Sequence, residues 1–575
     1  MKNLFSFSAC ALVGLVLIQY RLSYTDVLAG KPLKITTWDA FGYYMYLPSS
    51  VIYNDMTELE WLPEMDSTYQ LTGGELYQSN IHTNGNYVNK YLGGVSIMQA
   101  PFFFIGHSIA ISSHYNADGF SPPYQYSIAF GAIFYCILAL FILRNILLRY
   151  YSDHAVALSI LLMVLATNLI QYISIDSAMS HAFIFPLYAF VLYATVKWHE
   201  TPKLKWAMAI GLTIGLATIS RPTELIMLFI PLLWGTQNKE ASKAKWQLVK
   251  ANRKHILFAL LFGIIGIAPQ LIYWKMTSGS FIYDVGSKWF FLNPFFRVLF
   301  GFENGWFIYT PITIFFVLGF FFLKKFPFRK SVIVFCLLNI WIVIAWSDWK
   351  YGATYSTRAL VQSYPVFLLG FTGFVEWILT KKWKYPFFAV AGFLIYANLF
   401  QIWQYNTTVL HYRDMNRQYY ASIYLDSSPT PLDMSLLDTD EILRDESSFK
   451  SKTLYSLKEQ TSIEGDIGSP AIIAVENIGK SPTGWVKVEV TLEMEEGFAA
   501  CSLHGKIELG DGHKETKIRF NNPISEADQI NNYAFYMKIP ECKASTNVKI
   551  FVNSWSSFRG ELKSVKVTHL TPTKG

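Results

Sequence analysis

One carboxylate among aromatic side chains is the first group in this sequence that could do chemistry. Asp39 lies in the stretch Trp-Asp-Ala-Phe-Gly-Tyr-Tyr at residues 38–44, which ends with Tyr43 and Tyr44. An ionised carboxylate can take a proton from a hydroxyl group, so Asp39, and Asp55 in the same loop, are candidate general bases. An aspartate just before an apolar run is also a common helix N-cap, and these seven residues alone favour that structural role.

Three basic residues could bind a phosphate group. Lys90 precedes small glycines, Arg221 lies in a short turn with Glu224, and Arg358 ends a segment rich in tryptophan and tyrosine. A lysine binds phosphate as a point charge, whereas an arginine can fork onto two phosphate oxygens. The alternatives are a snorkelling lysine, an Arg221–Glu224 pair that neutralises itself, and an ordinary interfacial aromatic girdle around Arg358.

Further polar and aromatic residues lie close to these cations in sequence. His181 ends the turn that begins at Asp176, and Trp349 and Tyr351 precede Arg358. Ionisable side chains at membrane depth are costly, so they are usually functional or paired, and aromatic faces can stack on a sugar. We therefore expect His181, Trp349 and Tyr351, together with Tyr43 and Tyr44, to line a site.

The composition indicates that a membrane scaffold positions these residues. Of the 575 residues, 52% are hydrophobic and only 15% are charged, well below the roughly 25% of soluble domains. The net charge of +7 comes mostly from short lysine and arginine clusters between apolar runs. Such clusters are typical of loops on the cytoplasmic side of a membrane, so we predict no nucleic-acid partner.

About eleven apolar runs are long enough, or nearly long enough, to span a bilayer. They are residues 4–20, 124–146, 155–175, 180–198, 206–220, 223–236, 256–274, 306–323, 331–347, 360–379 and 386–404. The first run is predicted to be an uncleaved anchor. Basic clusters occur in alternate loops, which predicts a cytoplasmic N-terminus and a C-terminus outside the cytoplasm.

One further apolar run, residues 95–113, does not fit this count. Including it as a span would place the loop with Arg144 and Arg149 outside, and Pro101 interrupts it. We therefore predict an interfacial helix on the outer side, after a long outer loop at residues 21–94.

Residues 405–575 have a different character from residues 1–404. Charged residues become common and alternate with apolar ones, which predicts an extracytoplasmic antiparallel β domain, a sandwich. Trp555 or Trp485 could stack on an acceptor, but Trp485 begins an alternating strand and is predicted to face the core of the domain. Cys501 and Cys542 could form a disulfide, a pairing that the sequence leaves open.

In order, the motifs of residues 1–404 resemble those of the bacterial membrane glycosyltransferases of the GT-C superfamily, in the protein-mannosyltransferase-like group. Residues 39–44 are similar to the Asp-x-x-x-Tyr-Tyr element of that family, and residues 89–103 to its Lys-Tyr-x-x-Gly and Ala-Pro-Phe-Phe run. The later matching segments are residues 118–124, 179–182, 221–222, 305–311 and 349–358.

The resemblance implies an enzyme that transfers a hexosyl or pentosyl group, with inversion, from a polyprenyl-phosphate sugar to an envelope glycan, lipid or protein. It implies Asp39 as the general base and Lys90, Arg221 and Arg358 as ligands of the donor phosphate. Many relatives carry two adjacent acidic residues where only Asp39 stands here, so no metal ligand is assigned and a divalent cation is left open. The alternatives are a flippase of lipid-linked sugars and a membrane-anchored scaffold.

Overall fold

The computed structural model describes residues 3–24, 33–510, 512–541 and 545–573. The contacts between residues divide the chain into two compact units, Met1–Leu399 and Phe400–Gly575. The predicted boundary between residues 404 and 405 stays a prediction.

The first unit is helical. Its helices, followed by three more that belong wholly or partly to the second unit, are α1 (Leu4–Ser23), α2 (Asp39–Tyr44), α3 (Tyr46–Val51), α4 (Leu62–Tyr69), α5 (Gly94–Ile111), α6 (Pro122–Leu147), α7 (Asp153–Leu165), α8 (Ser180–Glu200), α9 (Leu204–Thr218), α10 (Phe229–Leu233), α11 (Lys239–Ala251), α12 (Arg253–Ser278), α13 (Arg297–Phe300), α14 (Trp306–Tyr309), α15 (Thr313–Leu318), α16 (Arg329–Ala345), α17 (Tyr364–Leu379), α18 (Lys384–Asn406), α19 (Arg417–Ser422) and α20 (Pro431–Ser435). The shorter helical segments are the π-helix Gln171–Ile175 and the 3-10 helices Pro222–Leu228, Gly319–Phe322, Arg358–Ser363, Glu446–Ser448 and Phe498–Ala500.

Six helical segments within the described residues are long and apolar enough to cross a membrane. They are α1, α5, α6, α12, the segment Arg358–Leu379 and α18. The chain is thus a multi-pass helical membrane protein, while the count of eleven spans and the orientation stay predictions. Helix α5 is among the six, although the interruption at Pro101 predicted an interfacial helix, because its 18 residues continue through the proline.

Several predicted spans are broken into short pieces. The run at residues 223–236 becomes the 3-10 helix Pro222–Leu228 followed by α10, and the run at residues 306–323 becomes α14, α15 and the 3-10 helix Gly319–Phe322. Hydropathy reports how apolar a run is and not whether its backbone keeps α-helical hydrogen bonds, so the sequence did not predict these breaks.

The second unit contains a β-sandwich. Its strands are β3 (Phe449–Ser456), β4 (Thr461–Gly465), β5 (Ala471–Lys480), β6 (Trp485–Glu496), β7 (Cys501–Leu509), β8 (Gly512–Arg519), β9 (Ile530–Lys538), β10 (Ser545–Ser554) and β11 (Phe558–Pro572), whereas β1 (Ser79–Ile81) and β2 (Tyr87–Asn89) form a hairpin in the first unit. One antiparallel sheet has the order β5-β10-β7-β8, and the other has the order β3-β11-β6-β9 with β4 paired to β11. Buried side chains from both sheets form one hydrophobic core, which confirms a β domain.

The prediction that Trp485 faces this core is wrong. Val486 and Val488 are fully buried in the core, so the residues that alternate with them, including Trp485, lie on the opposite face of β6. There the Trp485 ring packs edge-on against Tyr536. Cys501 is buried, and because Cys542 lies outside the described residues, their disulfide stays a prediction.

Candidate active site

A cavity of about 470 Å³ in the helical unit gathers most of the predicted site residues. Seven of the nine line it, namely Asp39, Tyr43, Lys90, His181, Arg221, Tyr351 and Arg358. They come from elements that lie far apart in sequence. The cavity therefore joins the segments that the sequence suggested separately.

Asp39 is at the centre of a hydrogen-bond network on the wall of this cavity. Its Oδ2 accepts a hydrogen bond from Arg358 Nη2 at 2.6 Å, which is also an ion pair. Its Oδ1 accepts hydrogen bonds from the hydroxyls of Tyr91 at 2.6 Å and Tyr77 at 2.9 Å. Asp39 is the first residue of α2 and Trp38 is the N-cap, so the N-cap alternative for Asp39 is wrong.

The network decides the protonation of Asp39. Burial acts to raise the pKa of this carboxyl, but the positive charge of Arg358 and the hydrogen bonds from Tyr91 and Tyr77 outweigh it and lower the pKa below the ordinary value. Burial and the negative charge of Asp39 raise the pKa of both tyrosines, so their hydroxyls keep their protons and donate. Asp39 is therefore an ionised carboxylate at neutral pH.

Gly42 lets Tyr91 approach Asp39. A Cβ atom added at Gly42 would lie 2.7 Å from ring atoms Cγ and Cε2 of Tyr91, closer than any real contact, so the ring packs directly on the glycine backbone. Asn89 holds the two segments together, because its Nδ2 donates to the Gly42 carbonyl at 2.7 Å and its Oδ1 accepts from the Tyr91 N–H at 2.9 Å. The glycine of the Asp-x-x-Gly-Tyr-Tyr stretch thus has a steric role beside the carboxylate.

Arg358 is positioned by the irregular segment that precedes it. The Thr357 hydroxyl donates to the carbonyls of Val298 at 2.7 Å and Asn304 at 3.0 Å. The Tyr355 N–H donates to the hydroxyl of Tyr172 in the π-helix at 3.0 Å. With the backbone before it held at these two residues, Arg358 begins a 3-10 helix and presents its guanidinium to Asp39.

Lys90 and Arg221 also line the cavity, but they differ from Arg358. Within the described residues, the Lys90 ammonium makes no hydrogen bond or ion pair, and the buried Nη1 of Arg221 has no hydrogen-bond partner. Buried donors in proteins are almost always paired, with protein or with a bound molecule. The Nη1 of Arg221 is therefore available to an anion in the cavity, and so is the ammonium of the half-buried Lys90, which water can solvate in the absence of an anion.

Among the described residues, Glu224 makes no close ion pair with Arg221, although the positive charge of Arg221 still acts on its carboxyl, so their mutual neutralisation stays an alternative. The Glu224 carboxylate accepts hydrogen bonds from the Tyr188 hydroxyl and, at 3.1 Å, from Gln362 Nε2. Gln362 Oε1 lies 2.9 Å from His181 Nδ1, and because an amide oxygen only accepts, His181 Nδ1 is the donor. His181 is thus held at the cavity wall by a buried network that leaves Arg221 out.

Two predicted site residues lie away from the cavity. Tyr44 is fully buried, and its hydroxyl donates to the Gly119 carbonyl at 2.5 Å. The guanidinium of Arg297 lies over the Trp349 ring, with its Cζ atom 4.6 Å from the ring centroid, so Trp349 makes a cation–π contact outside the cavity. Asp55, the second candidate base, instead accepts backbone N–H groups of residues 57, 58 and 60 and stabilises a turn.

The sequence did not single out several residues of the site. Tyr91 belongs to a motif that resembles the family, but the motif assigns it no role. No sequence pattern around Tyr77 indicates a role for that residue. The cavity is also lined by Trp274, Trp289 and Trp346, and the buried Trp274 Nε1 has no hydrogen-bond partner in the described part of the chain. Among the residues that the structure describes, no group of three or more His, Cys, Asp or Glu side chains could hold a metal ion.

No protein-family model and no curated protein matches this chain. Among solved structures, the archaeal oligosaccharyltransferase AglB from Archaeoglobus fulgidus, in complex with an inhibitory peptide and a dolichol-phosphate, is similar over 73% of this chain and 57% of its own, with 10% identity and a TM-score of 0.42. ArnT from Cupriavidus metallidurans bound to undecaprenyl phosphate is similar over 72% of this chain and 68% of its own, with 12% identity and a TM-score of 0.42. The arabinosyltransferase EmbB from Mycobacterium smegmatis is similar over 98% of this chain and 64% of its own, with 10% identity and a TM-score of 0.38.

These neighbours belong to the class of membrane glycosyltransferases that the sequence motifs resemble. The chain spans a little over half the length of the archaeal oligosaccharyltransferase, 57%. With TM-scores at or below 0.42, the likeness adds nothing to the argument about function, which rests on the geometry of the cavity.

Proposed function

We propose that the protein is an inverting glycosyltransferase that moves a sugar from a polyprenyl-phosphate donor to an envelope acceptor on the outer face of the bacterial cytoplasmic membrane. One observation carries the proposal. The ionised carboxylate of Asp39 shares a cavity with the Lys90 ammonium and the Arg221 Nη1 group, which have no protein partner in the described residues. A base beside unpaired cations suits attack by a hydroxyl on a carbon that carries a phosphate leaving group.

Asp39 would act as the general base. An ionised carboxylate has about four acceptor sites. Tyr91 and Tyr77 occupy Oδ1 and Arg358 occupies one site of Oδ2, which leaves Oδ2 able to accept a hydrogen bond from an acceptor hydroxyl. As this hydroxyl oxygen bonds to the anomeric carbon, its proton would pass to Asp39. Attack from the face opposite the phosphate would invert the configuration.

The cations would hold the phosphate and offset its charge as it leaves. Lys90 and Arg221 can bind it without losing a protein partner, whereas Arg358 is already paired with Asp39. A donor phosphate that attracted Arg358 would weaken this ion pair. The pKa of the Asp39 carboxyl would then rise, so the base would become stronger once the donor is bound.

The rest of the cavity suits a sugar on a lipid carrier. Trp274, Trp289 and Trp346 offer flat faces for stacking on a sugar ring, and the unpaired Trp274 Nε1 can donate to a hydroxyl. Helices that can span a membrane belong to the same unit, which supports a donor that is delivered from the lipid bilayer. A lipid-linked sugar can be flipped to the outer face, where nucleotide sugars are not normally available.

The proposal is tested by turnover with defined donors. Purified protein in liposomes is incubated with hexosyl and pentosyl polyprenyl phosphates and a mixture of envelope acceptors, and loss of donor and the anomeric configuration of the product are followed by mass spectrometry and NMR. Asp39→Asn should abolish transfer while donor binding persists.

Asp55→Asn is the matched control, because it removes the same charge from the same loop and Asn retains a capping oxygen. It should retain full transfer. Absence of turnover with every donor, together with movement of the lipid across the liposome bilayer, would favour a flippase. Full activity of Asp39→Asn would remove Asp39 from the mechanism.

A further inference from the structure

A second cavity in the helical unit shares no lining residue with the candidate active site. It has a volume of about 440 Å³, within the roughly 300 to 1,000 Å³ of typical ligand sites. Helices α8 to α12 and the 3-10 helix Pro222–Leu228 form its walls, which are almost wholly apolar. The polar groups in the lining belong to His199, Thr218 and Lys245 and to the indole N–H of Trp198 and Trp246. A ligand that fills this space must be apolar over most of its length.

The cavity lies beside a close contact between α9 and α12. A Cβ atom at Gly215 would lie 3.0 Å from the Cα atom of Gly266, and one at Gly211 would overlap the Ala259 backbone. These small residues let the two backbones touch, as glycines commonly do between membrane helices. This close contact fixes α9 and α12 relative to each other, so the cavity beside it is a regular feature of the fold.

Helix α11 closes one side of the cavity and carries a basic stripe. Trp246 lines the cavity, and the exposed Lys243 and Lys250 lie three residues before it and four residues after it, which places all three on one side of the helix. Lys245 is buried instead, and its ammonium donates to the carbonyls of Pro231 and Leu232, which ties α11 to the end of α10. The basic stripe is thus held next to an apolar cavity.

His199 adds a hydrogen-bond acceptor to the same cavity. Its Nδ1 lies 2.8 Å from the Thr195 carbonyl oxygen, so Nδ1 carries the proton and donates. The buried Nε2 is then an acceptor, and it has no partner among the described residues. A ligand hydroxyl could supply the missing donor.

We propose that this cavity binds one acyl chain of an anionic phospholipid, with Lys243 and Lys250 holding its headgroup. The apolar walls match an acyl chain, the lysines match a phosphate, and His199 favours a headgroup that carries a hydroxyl, such as phosphatidylglycerol. Basic amphipathic helices bind anionic membranes by the same combination of apolar burial and charge. Since the predicted topology puts α11 in the cytoplasm, the lipid would come from the leaflet opposite the sugar-transfer site.

The test measures lipid binding and does not depend on sugar transfer. Full-length protein in detergent is titrated with phosphatidylglycerol, phosphatidylcholine and free oleate, and bound lipid is counted by native mass spectrometry. Phosphatidylglycerol should bind most tightly. Lys243→Gln with Lys250→Gln should weaken it about 30-fold, because each lysine contributes a factor of about five near an anionic surface. Val249→Trp, which fills the cavity, should abolish retention of either phospholipid.

The control pair is Lys381→Gln with Lys382→Gln, two exposed lysines on another predicted cytoplasmic loop, and it should bind like wild type. Equal affinity of the Lys243/Lys250 variant and wild type, equal affinity for phosphatidylcholine, or binding of detergent or oleate alone would overturn the proposal. Unchanged retention by Val249→Trp would place the lipid on the surface and overturn the cavity assignment. Should a variant not fold, wild type alone decides, because phosphatidylglycerol must then raise its Tm more than phosphatidylcholine does.

Discussion

Replacing Gly42 by alanine should impair catalysis through Tyr91. The new Cβ would lie 2.7 Å from ring atoms Cγ and Cε2 of Tyr91 and closer still to Cδ2, and an ordinary contact needs about 3.4 Å, so the ring must retreat by more than about 0.7 Å. The hydrogen bond from the Tyr91 hydroxyl to Asp39, now 2.6 Å, would lengthen past about 3.3 Å, beyond the normal range for two oxygens.

The expected magnitude follows from the lost hydrogen bond. A hydrogen bond to a charged group contributes about 1.5 to 3 kcal/mol, and taking all of it as lost orientation of Asp39 in the transition state, kcat should fall about 10- to 150-fold. The pKa of the Asp39 carboxyl would rise when this hydrogen bond is lost, which strengthens the base, so the lower end of this range is expected. Stability should change less, because alanine favours a helix by about 0.5 to 1 kcal/mol while the overlap costs about 1 to 3 kcal/mol. The assay is the initial rate of donor loss at saturating donor, with Tm measured in parallel.

A double-mutant cycle distinguishes this mechanism from general damage. If Gly42→Ala acts by displacing the Tyr91 hydroxyl, its effect on kcat should largely vanish in a Tyr91→Phe background. Gly392→Ala is the matched control, because it is the same change in a helix where an added Cβ meets nothing within 4 Å. An unchanged kcat for Gly42→Ala, or the same fold-loss with and without the Tyr91 hydroxyl, would refute the reasoning.

Three further predictions concern the charges of the site. Arg221→Gln should raise KM for the donor more than it lowers kcat, because Arg221 would bind the donor phosphate and its Nη1 has no hydrogen-bond partner in the described residues to release. A change in kcat alone would contradict this. Arg358→Lys should lower kcat/KM strongly although the charge is kept, since one ammonium cannot serve both Asp39 and a phosphate in fork geometry; wild-type rates would exclude that role. The pKa of Asp39 is lowered in the folded protein, so its contribution to stability is present above about pH 4 and is lost as the pH falls through the folded pKa. Arg358→Gln should therefore move the acidic limb of the kcat/KM profile to higher pH, and an unmoved limb would show that another group titrates.

The sequence predicted the helical unit well because long apolar runs are a strong signal in a membrane protein. The sequence was less successful in predicting on which face of a β strand a given side chain lies. In β6, Val486 and Val488 alternate with Lys487 and Glu489, and this alternation alone would have put Trp485 on the polar face.

The candidate site, like the fold, could be predicted from the sequence only in part. Motifs identified Asp39, Lys90, Arg221 and Arg358 one by one, and all four line a single cavity. Their pairing could not be predicted, because hydrogen-bond partners depend on how distant segments pack. Tyr77 reaches Asp39 only through the fold of the loop between them, and nothing in its neighbouring residues signals that contact.

The ion pair between Asp39 and Arg358 also has a consequence for the biogenesis of the protein. The two residues are 319 positions apart in the chain, so the ribosome must add that many residues before they can meet. At about 5 to 20 residues per second, this takes roughly 16 to 64 s. Throughout that interval Asp39 lacks its arginine partner, and by the end of it the helices α1 to α16 have been made. A chain arrested before Arg358 would therefore be anchored in the membrane without a complete site.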